Sequence, residues 1–71
     1  MTLLTNEEKL SIANQHKKSL EYAKYNVEIS LIEENAVTSP SEEITAALNG
    51  QLAELNKKIA AIDAEIASIT E

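Results

Sequence analysis

The residue types that usually carry chemistry are thinly spread in this chain. His16 is its single imidazole. A helix-borne metal or acid–base site needs a second ligand or a carboxylate three or four residues away, and those positions hold Ile12, Ala13, Ser19 and Leu20. The plainer reading is a solvent-facing or interface histidine. Of the twelve carboxylates, none falls in a Glu-x-x-His pair or a DxDxDG loop, so di-iron and EF-hand sites are not expected. No serine sits in a nucleophile elbow and no glycine-rich loop cradles a phosphate. The sequence therefore predicts no enzyme, no metal and no cofactor.

Two smaller groupings remain. Lys17-Lys18 and Lys57-Lys58 are expected at nearly one height, where with His16 they would form a basic belt for an acidic segment or a phosphate group. The plainer reading is a solvated lysine layer with glutamates four residues away, Glu54 with Lys58 and Lys17 with Glu21. Tyr22 and Tyr25 read as core packing on the stripe that faces a second helix, or as interface anchors.

Composition narrows the partners. The net charge is −6, with six lysines and no arginine, and the tyrosines are the only aromatics. Phosphate neutralisation and base stacking need the opposite, so nucleic acid is not expected as a partner, nor is an anionic membrane surface. The opening "MTLLTNEEKL" lacks the basic and apolar regions of a signal peptide, and the longest apolar run, Ile59 to Ile62, is far too short to span a bilayer. A cytoplasmic location is the expectation.

What must position these residues is helix. One glycine and one proline are too few for a protein of strands and turns. "TNEE" offers Thr5 as a cap with Glu8 closing a capping box, and "SPSE" offers Ser39 as cap, Pro40 in the first turn and Glu42 closing a second box. The expected fold is all-α: one domain spanning 1–71, with helices over about 6–36 and 40–70 and a turn at 37–39. Near-equal helices on a short connection predict an antiparallel hairpin. The second helix is expected to run on through Gly50, straight or kinked, with a C-cap at "LNG" as the alternative.

From residue 52 the second helix is a heptad repeat, with Leu52, Leu55, Ile59, Ile62, Ile66 and Ile69 at a and d. Ile44, Leu48 and Leu52 precede it at steps of four, a stutter near Gly50. Pairing residues whose numbers add to about 77, an estimate from helical rise, sets Tyr25 near Leu52, Ile29 near Leu48 and the isoleucine ladder against the polar run Asn14 to Ser19. On that register the ladder is uncovered. Tyr22, Tyr25, Ile29 and Ile32 form one apolar stripe of the first helix, while Leu20, Val27 and Leu31 lie on another about 180° away.

A two-sided helix and a bare ladder predict completion by other helices. The expected oligomer or partner interface comprises Leu52, Leu55, Ile59, Ile62, Ile66, Ile69, Leu20, Val27 and Leu31. Lys58 of one chain would pair with Asp63 of the next in a parallel trimer or tetramer, with a four-helix dimer of hairpins as the competing arrangement. The functional expectation is a self-associating structural, assembly or adaptor module. Its alternatives are an inhibitor or regulator docking on a larger protein, with a possible nucleic-acid-mimicking acidic surface, and a minor viral or phage structural or accessory protein.

Overall fold

The structure, a computed structural model, describes residues 3–70. Two helices, α1 (Asn6–Asn35) and α2 (Glu42–Thr70), pack antiparallel as a hairpin. The rod measures 55 × 20 × 14 Å.

Helix α1 begins as its sequence prescribes. The Glu8 N–H donates to Thr5 Oγ1 at 3.1 Å and the Thr5 N–H donates to Glu8 Oε1 at 3.0 Å, so two N–H groups left over at the helix start are satisfied reciprocally. The helix ends at Asn35, and the Ala36 N–H donates to the Glu33 carbonyl at 3.2 Å in a tightened last turn.

The start of α2 departs from expectation. Its cap is Ser41 rather than Ser39, with the Ile44 N–H donating to Ser41 Oγ at 3.2 Å. Pro40 lies outside the helix, and the connection runs over 36–41. The third helical position now holds Ile44 in place of a glutamate, so a local capping box cannot close. Glu34 supplies the missing carboxylate from the other helix: the Ser41 N–H donates to Glu34 Oε1 at 2.8 Å. The two helices are thus tied at the turn by one half-buried carboxylate.

Helix α2 passes through Gly50 without interruption or positive φ. A Cβ added there would meet nothing within 4 Å. Every residue of α2 that is not exposed belongs to one series: Thr45, Leu48, Leu52, Leu55, Ile59, Ile62, Ile66 and Ile69. The steps alternate between three and four throughout, so the expected stutter is absent. Thr45 occupies the seam, while Ile44 is turned outward and half exposed.

Helix α1 answers with Leu10, Ala13, Lys17, Leu20, Lys24, Val27, Leu31 and Glu34, all buried or half-buried and spaced in the same way. Matched end to end, each pair of numbers adds to 79, and the ion pair Lys17–Asp63 adds to 80. The register exceeds the expected 77 because α2 starts two residues later than its sequence suggested. Two 3–4 repeats facing one another make the hairpin an antiparallel coiled coil.

Candidate interaction surfaces

The isoleucine ladder is not bare. Ile59, Ile62, Ile66 and Ile69 are all half-buried, as are Leu52 and Leu55, and the seam of α1 lies against them. No aliphatic face of α1 was expected opposite Ile59 and Ile62, because residues 14–19 are polar. Lys17 resolves this. Its methylene stem lies at a seam position while its ammonium reaches Asp63 Oδ1 at 2.6 Å, the snorkelling that lets a cation cover apolar surface. Ala13, just before that stretch, is the one buried residue among those described.

Leu20, Val27 and Leu31 were expected on an interface with other chains, but they are half-buried on the side of α1 that meets α2. The stripe expected to face α2 is the one turned away from it. Tyr22, Tyr25 and Ile32 are 65%, 63% and 64% exposed, and Ile29, on the same line, is half-buried. Tyr25 therefore does not pack on Leu52. The two stripes exchange roles relative to the sequence reading.

The expected basic belt is dispersed. With the register at 79, Lys17 stands level with Ile62 and Lys57 with Tyr22, which separates the centres of the two lysine pairs by about 6 Å along the rod. Lys17 is paired with Asp63, Lys57 reaches Glu54 Oε1 at 3.2 Å, and Lys18 Nζ sits 5.6 Å from the centre of the Tyr22 ring. Glu54 thus takes Lys57, where Lys58 was expected. Asp63 is paired within its own chain. Asp63 also holds the Lys17 ammonium above the usual lysine range, first through the hydrogen bond and then through its charge.

His16 stands at the open end of the hairpin, beside an open groove of about 300 Å³ whose apolar walls include Ile12, Ala13, Ile62 and Ile69. Among the described residues no three His, Cys, Asp or Glu side chains gather as a metal site. No helix of the described residues is long and apolar enough to cross a membrane.

Charge is unevenly placed. Between residues 25 and 56 there are six carboxylates and no lysine, whereas the remaining six carboxylates and all six lysines share the rest of the chain. The segment around the turn, residues 25–56, therefore carries a net −6, and the rest of the chain sums to zero.

Burial is shallow everywhere. No large side chain among those described is fully buried, and the accessible surface is 5386 Å². A globular monomer of 7.8 kDa would expose about 4,400 Å². The excess of about 1,000 Å² is more than the ~800 Å² that each partner contributes to an ordinary specific interface. Comparison with protein-family models, curated proteins and solved structures finds no match to this chain.

Proposed function

We propose that this hairpin is a non-catalytic structural or adaptor module that works as an assembly of several copies. The observation that carries the reading is the outward stripe of α1. Three large apolar or aromatic side chains are more than 60% exposed on a helix whose opposite side is already packed. A helix with two apolar sides ordinarily sits inside a bundle, and two helices alone cannot build one.

Sedimentation equilibrium of the pure chain tests this, together with helicity followed on dilution. The expected result is an oligomer whose helical signal falls as it dissociates. A fully helical monomer, unchanged across concentration, would sink the proposal.

A second reading, docking on a larger protein, draws on Glu21, Glu28 and Glu33, which flank the stripe. They suit a helix with lysine or arginine beside its apolar face. Binding of that kind would weaken steeply with added salt.

A further inference from the structure

The outward stripe of α1 has a counterpart on the outer edge of α2. Tyr22, Tyr25, Ile29 and Ile32 advance by three, four and three residues. Lys57, Ala60, Ala64 and Ala67 advance by the same steps, always 35 residues later, and all four are exposed. One edge is large and apolar, and the other is mostly small.

We propose that the α1 stripe of one copy seats on the Ala60–Ala67 edge of α2 in a second copy lying in the opposite sense. This rests on the self-assembly reading above and gives it a surface and an orientation. The heights agree. The seam of α1 runs from Leu10 to Leu31 and Glu34, with its midpoint at Tyr22, and Lys57 shares that height. Tyr25 lies three residues to the turn side of the midpoint, and Ala60 lies three residues to the open side. Turning one rod end over end therefore brings Tyr25 to Ala60 and, by the same step, Ile29 to Ala64 and Ile32 to Ala67. At the midpoint Tyr22 meets Lys57, whose ammonium suits an aromatic face.

Charge selects this orientation. Rods lying in the same sense would set one strongly acidic turn side beside another, whereas opposed rods set each beside an open side, which holds four of the six lysines. Charge also disfavours pairing the stripe with itself. About a dyad near Val27, Glu21 would approach Glu33 of the other copy, and the two Glu28 side chains would lie close together. Area is consistent with one such contact on each edge: the exposed excess of about 1,000 Å² would be shared between two neighbours. The contact joins unlike edges on opposite sides of the rod, so growth continues past two copies into an open row in which each rod is reversed against the last.

The chain contains no cysteine, which makes disulfide trapping direct. Lys18 extends the stripe by one heptad and Ala53 extends the facing edge by one, so neither substitution removes an apolar anchor. Lys18→Cys and Ala53→Cys variants, mixed in equal amounts and oxidised, should yield mainly a link between positions 18 and 53. Lys18→Cys mixed with Ala60→Cys should link several-fold less, and sedimentation should give a mass above that of a dimer. Preferred linkage of 18 to 60, which means rods in the same sense, or of 18 to 18, overturns this arrangement while leaving self-assembly intact. A species no larger than a dimer also overturns it. A wild-type chain that sediments as a monomer overturns both proposals.

Discussion

Individual residues set the ends of the helices, and their contributions can be measured one at a time. Ser41 and Glu34 together cap α2 and tie it to α1. Ser41→Ala should cost about 1 kcal/mol, within the range for a lost helix cap, read as a lowered urea midpoint with an unchanged slope. Glu34→Ala should have a comparable effect although it lies seven residues away in sequence, whereas a purely local cap would leave it neutral. Thr5 holds the Glu8 carboxyl below the usual glutamate range, chiefly through its backbone N–H and then through its hydroxyl. A carboxyl with a lowered folded-state pKa adds stability that is present above its unfolded value and lost as pH falls through the folded one. Lys17 has the opposite sign: its stabilisation is complete below the ordinary lysine pKa and is lost as pH rises through the raised value. Circular dichroism should therefore show a flatter acid limb for Glu8→Gln and a flatter alkaline limb for Lys17→Met. Unchanged limbs would mean that neither contact persists in solution.

At the scale of the helix, Gly50 provides the cleanest test. It lies inside a continuous α2 with open space where a side chain would begin. Gly50→Ala should raise stability by about 1 kcal/mol, because alanine is the better helix former and nothing obstructs it. A loss of stability would show that some contact at Gly50 requires close approach. The helices were legible in the sequence because the Thr5 box, the near absence of glycine and proline, and the Leu52–Ile69 heptads all pointed one way. The inner side of α1 was not legible. Its seam reads Leu, Ala, Lys, Leu, Lys, Val, Leu, Glu, whereas the opposite side reads Tyr, Tyr, Ile, Ile. Hydrophobicity alone selects the second set. The fold selects the first, because a seam lysine can lay its stem along the isoleucines and carry its charge out to Asp63. Ser39 reads as the cap in the sequence for a related reason. The local pattern of cap, proline and glutamate was complete around Ser39, and the carboxylate that favours Ser41 comes from another helix.

For the molecule as a whole, the central fact is a rod with a well-registered seam and almost no interior. Tyr25→Asp should separate assembly from folding. The residue is 63% exposed and off the seam, so sedimentation should shift to the monomer while helicity falls only to the level of the dissociated wild-type chain. Ile62→Asp, on the seam, should lose both. If Tyr25→Asp left the oligomer untouched, the outward stripe would not be the assembling surface. The bond from Ser41 to Glu34 spans seven residues, and it has a kinetic side. Closing so short a loop restricts the chain little, and each later layer of the seam forms beside one already in place. The hairpin should zip from the turn toward the open end, on the order of microseconds to milliseconds as local topologies do. Encounter between finished rods, dependent on concentration, would then be the slow event, and diluting the chain tenfold should slow that phase while leaving the first unchanged.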